Sequence, residues 1–232
     1  MKFIKYTLCA VLISQILVGR DSYSSYDCHG RPLDVMLVDI MGIQNGVFVE
    51  VGAYDGLFTS NTKLLAEKHG WTGVLIEPAA GAFASLVANR PESRCFQCAL
   101  GSFEENNKYA YGDFSNGPMS SFTGRVIAPQ NDLVLIRTLQ SILDECNITH
   151  INFFSLDTEG YELNILNGID FQKTTFDYLL IEIYRSQFDS IVSFLASKGY
   201  NLLSNMTNYN KTNNPDWDGT HNDYLFKRLS LN

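Results

Sequence analysis

The run Val47-Phe48-Val49-Glu50-Val51 gives way abruptly to Gly52-Ala53-Tyr54-Asp55-Gly56, and this break constrains the fold more than any other stretch of the chain. A short segment dense in β-branched and aromatic residues reads as a buried strand. Glycine directly after it marks a backbone that bends tightly or approaches a ligand closely. Thr59-Ser60-Asn61-Thr62 then offers capping residues for a helix carrying Leu64 and Leu65. Strand, glycine turn and helix in that order form the opening unit of a nucleotide-binding α/β sheet.

The flanking sequence repeats the pattern. Leu33, Met36, Leu37 and Ile40 fall on one helical stripe before the strand, closed by Gly42 to Gly46. Val74 to Pro78 reads as a second strand, Ala79 to Asn89 as a helix through Phe83, Leu86 and Val87, and Arg94 to Leu100 as a third strand. Tyr109 to Asn131 lacks periodicity and reads as a long loop in which Met119, Phe122 and Arg125 are candidate ligand contacts. Leu133 to Ile136 is a short strand, and Thr138 caps the next helix. Ile151 to Asp157 and Phe176 to Tyr184 are further strands, with Gln187 to Lys198 as an amphipathic helix between the second of these and a late hairpin, Tyr200 to Asn205 and Tyr224 to Lys227. Alternating strands and helices of this kind predict an α/β fold with a doubly wound, mostly parallel sheet.

The N-terminus has a different character. Lys2 and Lys5 precede about 14 mostly apolar residues, Tyr6 to Gly19, a length suited to a signal-peptide core or signal anchor. The expected organisation is therefore signal or membrane anchor over 1–19, linker over 20–31 and one domain over 32–232. Lysines ahead of the apolar run favour a translocated domain in the secretory pathway or periplasm, with a cytoplasmic domain as the alternative. A net charge of -8 and a pI near 4.9 disfavour nucleic acid as a partner. Cysteines at 9, 28, 95, 98 and 146 lack the spacing of a disulfide framework, and Cys95 and Cys98 have no second pair to complete a zinc site. No metal site is expected.

The glycine turn also limits the ligand. A dinucleotide fingerprint needs a third glycine, and only Gly52 and Gly56 are present, with Asp55 between them. Carboxylates at Glu50 and Asp55 repel a pyrophosphate and suit a ligand bearing a sulfonium and an ammonium group. Glu77, at the tip of the second strand, is placed to take a ribose diol. Together these features describe a pocket for S-adenosylmethionine.

Phe48 to Gly56, Ser60-Asn61-Thr62, Leu75-Ile76-Glu77-Pro78 and Asp157-Thr158-Glu159-Gly160-Tyr161-Glu162 resemble, in order, the hallmark blocks of the FkbM-like class I methyltransferases. The resemblance spans roughly Gly46 to Phe226. It implies a seven-stranded sheet with the last strand antiparallel, S-adenosylmethionine as methyl donor, and O-methylation of a hydroxyl on a sugar or small metabolite. It further implies Glu50, Gly52 and Asp55 around the donor's methionine end, Glu77 at the ribose, and Asp157 with Glu159 on the reaction side, with Gly56 and Asn61 as further donor-binding residues. Family members often carry a Ser-Gln pair before the first strand, where this chain has Ser24-Ser25-Tyr26-Asp27. Asp157, Glu159 and His221 are the candidate bases, Asp157 foremost, since His221 lies in a polar stretch typical of a surface histidine. The competing expectation is a Star-like membrane-associated trafficking or binding protein.

Overall fold

The computed structural model describes residues 22–114 and 132–229. In chain order these form α1 (Leu33–Met41), β1 (Val47–Val51), α2 (Lys63–His69), β2 (Thr72–Ile76), α3 (Ala80–Asn89), β3 (Arg94–Phe96), β4 (Ala99–Leu100), β5 (Lys108–Gly112), β6 (Asp132–Arg137), α4 (Leu139–Cys146), β7 (His150–Leu156), α5 (Glu162–Leu166), β8 (Thr175–Tyr184), α6 (Phe188–Ser197), β9 (Tyr200–Asn205) and β10 (His221–Arg228). The expectations for 1–19 and for Met119, Phe122 and Arg125 lie outside the described residues. Among the described residues, no helix is long and apolar enough to cross a membrane.

The central sheet has seven strands in the order β3-β2-β1-β7-β8-β10-β9. The first five are parallel, and β10 runs antiparallel to both of its neighbours. The order reverses between β1 and β7, which creates a crevice at the carboxyl ends of these two strands. Alternate residues of β1 face opposite layers, as strand geometry requires. Val49 and Val51 pack with Leu139, Ile142 and Ile165 on one side, and Phe48 packs with Leu33, Leu37 and Leu65 on the other. Both faces are covered, which explains why the strands read as nearly continuous apolar runs.

Several expected boundaries shift for identifiable reasons. The third strand ends at Phe96, because β2 stops at Ile76 and Pro78 has no N–H with which to extend the ladder. Ala99 and Leu100 instead pair with Ile136 and Arg137 in a small second sheet, β4-β6-β5. The first residues of the expected long loop, Tyr109 to Gly112, belong to β5, where they pair antiparallel with β6. Ile40 and Val87 are exposed, and Met41 takes the buried place at the end of α1. Residues 22–31, expected as linker, pack onto the domain. Asp34 is fully buried and its carboxylate accepts hydrogen bonds from Ser22 Oγ, Tyr23 N and Ser24 Oγ, while Ser24 bridges to Thr59. Ser22 and Ser24 thus donate hydrogen bonds that fasten this segment to the domain.

Candidate functional site

A cavity of about 450 Å³ opens at the carboxyl ends of β1, β2, β7 and β8, within the size range of small-molecule sites. Gly52, Asn61, Glu77, Asp157, Glu159 and His221, all singled out in the sequence, line it. Ser25 lines it as well, so the N-terminal segment covers the cavity without the Ser-Gln pair.

One side is built from the turn after β1. Gly52 adopts φ 81°, in the left-handed region that favours glycine. Glu77, only 5% exposed, accepts hydrogen bonds from Tyr54 N at 2.9 Å and Ala79 N at 2.8 Å. Burial raises its carboxyl above the ordinary value, although those two N–H groups oppose the shift. Asn61 Nδ2 donates to Ser155 Oγ at 3.0 Å, whereas its buried Oδ1 has no hydrogen-bond partner.

Three of the expected donor-site residues lie behind this wall and not in it. Glu50 shares a strand face with Phe48, so its carboxylate points beneath α2 and α3, away from the cavity. There it accepts from Ser60 Oγ, Asn61 N and Thr62 Oγ1 at 2.9, 2.7 and 2.6 Å, with Arg90 Nη1 at 3.8 Å. Glu50 therefore holds the loop that presents Asn61. Asp55 Oδ1 accepts from Leu57 N and Phe58 N, closing the turn on itself. A Cβ on Gly56 would stand 2.6 Å from Arg90 Cγ, so this glycine makes room for a buried arginine.

The other side is an acidic cluster. Asp157 follows β7, Glu182 lies on β8, and Asp223 on β10 is the cross-strand partner of Glu182. Glu159 Oε2 accepts from Tyr184 OH at 2.7 Å. His221, expected at the surface, lies inside the cavity with Nε2 at 3.4 Å from Glu182 Oε1 and Nδ1 at 2.9 Å from Thr220 Oγ1. Asp157 is reached by solvent at the cavity floor but enclosed by protein elsewhere. That enclosure, and after it the charges of Glu159, Asp223 and Glu162, pushes its carboxyl well above the usual carboxylate range. Burial followed by the charge of Asp157 does the same to Glu182. Burial lifts Asp223 to about 6, against the opposing effects of His221 and Thr207.

Glu182 is an acid inside the apolar strand Phe176 to Tyr184, and its strand-end position already points toward the pocket it lines, whereas sequence reasoning does not single out Asp223. The available signal was the spacing of His221 and Asp223, two residues apart on one strand and so on one face. Glu162, fully buried, caps the turn after β7 by accepting from Thr158 N and Gly160 N, apart from the cavity.

Residues 50–202 match the family model described as the methyltransferase FkbM domain. No match is found among curated proteins. Among solved structures, the chain is similar to a TehB-like SAM-dependent methyltransferase from Corynebacterium glutamicum, with TM-score 0.48 and 11% identity over 96% of this chain and 97% of that one. It is also similar to precorrin-6y C5,15-methyltransferase from Geobacter metallireducens, with TM-score 0.47 and 8% identity over 88% and 94%. A third is fibrillarin from Aeropyrum pernix in complex with natively bound S-adenosyl-L-methionine, with TM-score 0.45 and 9% identity over 83% and 73%.

Proposed function

The chain belongs to the FkbM methyltransferase domain family, and on that premise we propose that it methylates a hydroxyl oxygen of a sugar or small metabolite, with S-adenosylmethionine as donor. The observation that carries this reading is one cavity with two unlike sides. A glycine turn with a buried acid faces a cluster of carboxylates at the point where the sheet order reverses.

The donor side fits the proposed cofactor. Asn61 Oδ1 is a buried acceptor lacking a donor, a role an ammonium group fills. Glu77 would take the ribose hydroxyls, whose O–H groups its carboxylate can accept. When bound, S-adenosylmethionine supplies a methyl group on positively charged sulfur, open to displacement by an oxygen nucleophile.

The chain's own work is to align the acceptor oxygen and remove its proton. Asp157 and Glu159 orient the hydroxyl. We assign the proton to Asp223 in place of Asp157. Asp223, lifted to about 6, is ionised at neutral pH yet more basic than an ordinary carboxylate, whereas Asp157 is crowded by like charges. A net charge of -8 supports a neutral or cationic small acceptor over nucleic acid. We further propose that residues 1–19 associate the chain with a membrane.

Calorimetric titration with S-adenosylhomocysteine, followed by transfer of labelled methyl to a panel of sugars and hydroxylated metabolites, tests the reading. Binding is expected at one site per chain. Absence of binding by both S-adenosylmethionine and S-adenosylhomocysteine overturns it.

A further inference from the structure

We propose that Asp157, Glu159 and Glu182 form a site for one hard divalent cation of the Mg2+ or Mn2+ class at the cavity floor. Each residue offers a carboxylate oxygen, and the three oxygens all lie within 4.8 Å of one another. Oxygens bound around a single Mg2+ or Ca2+ ion, at about 2.0–2.6 Å from it, are separated by roughly 3–5 Å. The three come from two segments, Asp157 and Glu159 from the turn after β7 and Glu182 from β8. The fold therefore converges them on one point.

Proximity of acids alone does not require a cation, and the state of Glu182 supplies the second observation. This residue is 9% exposed. Its Oε1 faces His221, but its Oε2 is buried without any hydrogen-bond partner. The neighbouring group within hydrogen-bonding reach is the Asp157 carboxyl, itself an acid and one of the three proposed ligands. Among the described residues, no lysine or arginine forms an ion pair with Asp157 or Glu182. A buried carboxyl oxygen in this position needs either a proton or a positive ion beside it. An all-carboxylate oxygen set selects a hard divalent cation, and it lacks the thiolate and imidazole donors that favour zinc or copper. Because Asp157 is open to the cavity, part of the coordination shell faces the space where an acceptor would lie. Cation binding itself stands apart from the methyl-transfer reading. Only its consequence, that the cation would grip an acceptor oxygen while Asp223 stays unligated, rests on that reading.

Electron paramagnetic resonance of Mn2+ titrated into the full chain, stripped of metal with a chelating resin, tests the site. One Mn2+ per chain is expected, displaced by excess Mg2+ or Ca2+. Glu182→Gln and Asp157→Asn should each weaken binding at least tenfold, with folding checked by circular dichroism, while Glu104→Gln on the exposed surface leaves it unchanged. Asp157→Asn alters a solvent-reached side chain and so decides the matter even where Glu182→Gln fails to fold. No Mn2+ binding at millimolar concentration, or binding retained in a folded Asp157→Asn variant, overturns the proposal. S-adenosylhomocysteine titrated into the same samples separates the two readings. Mn2+ bound without it upholds the cation site and counts against methyl transfer, and the reverse result removes the cation site alone.

Discussion

A Cβ built on Gly52 would stand 1.9 Å from the carbonyl oxygen of Asp157. The turn after β1 and the end of β7 thus touch backbone to backbone at the reversal of the sheet, which ties the donor side of the cavity to its acidic side. Gly52→Ala meets both this clash and the left-handed φ of 81°, which alone costs a non-glycine residue about 1–2 kcal/mol. Since backbone cannot yield as a flexible side chain does, a total loss of roughly 2–4 kcal/mol is expected. Denaturant unfolding measures it. A variant as stable as the parent would show that the contact is not made.

Arg90 is fully buried and holds the rear of the same turn. It donates to Gly56 O at 3.2 Å and Glu92 Oε1 at 2.7 Å, and lies 5.4 Å from the Phe48 ring centroid. Removing it leaves the Glu50 carboxylate, itself 4% exposed, buried without its counter-charge. Arg90→Met should therefore lose roughly 3–5 kcal/mol, and adding Glu50→Gln should recover part of that loss. Additive losses in the double variant would count against the pairing.

The strands of the central sheet were legible because a strand buried on both faces writes itself as an apolar run, and Gly52 because a ligand turn needs it. The destination of each acid was less legible. Glu50, Asp55 and Glu77 look alike in the sequence, yet strand parity turns Glu50 away from the cavity, local turn closure occupies Asp55, and only Glu77 remains at the wall. His221 sits in polar sequence, and what brings it inside is its pairing opposite Tyr184 when β10 inserts between β8 and β9, a long-range event with no local signature. The split of the third strand likewise depends on β6, some 30 residues away, taking up Ala99 and Leu100.

Glu77 provides the sharpest test of the donor side. Its carboxylate already accepts two backbone N–H groups, which fix its orientation toward the cavity. Glu77→Ala should weaken S-adenosylhomocysteine binding by about tenfold or more, the scale of a lost charge-assisted hydrogen bond. Calorimetry on a folded variant with unchanged affinity would place the ribose elsewhere.

The proposed location rests on the sequence of the first 19 residues. Lys2 and Lys5 ahead of an apolar run predict membrane association, with translocation of the domain favoured by the positive-inside rule. Cell fractionation of the full chain beside one lacking residues 1–19 checks this. The full chain should sediment with membranes or be shortened by cleavage, and the truncated form should do neither.

The acidic cluster also fixes the sign of a pH effect. Asp223 binds its proton more tightly in the folded protein, at about 6, than at the ordinary value of 3.8. Between these values the folded state holds more protons than the unfolded state, so this group's contribution to stability is present at low pH and is lost as pH rises through about 6. Asp157, Glu182 and Glu77 are shifted in the same direction and add to the slope. Paired acids such as Asp27 and Glu105, held below their ordinary values, act oppositely. The total curve therefore mixes both signs, and the informative quantity is a difference. In buffer containing a chelator, the stability of Asp223→Asn minus that of the parent should grow as pH rises from 3.8 to about 6 and level off above it. Unfolding curves that stay parallel across this range would mean that Asp223 titrates as an ordinary carboxylate, and the proton-accepting role assigned to it would fall with that result.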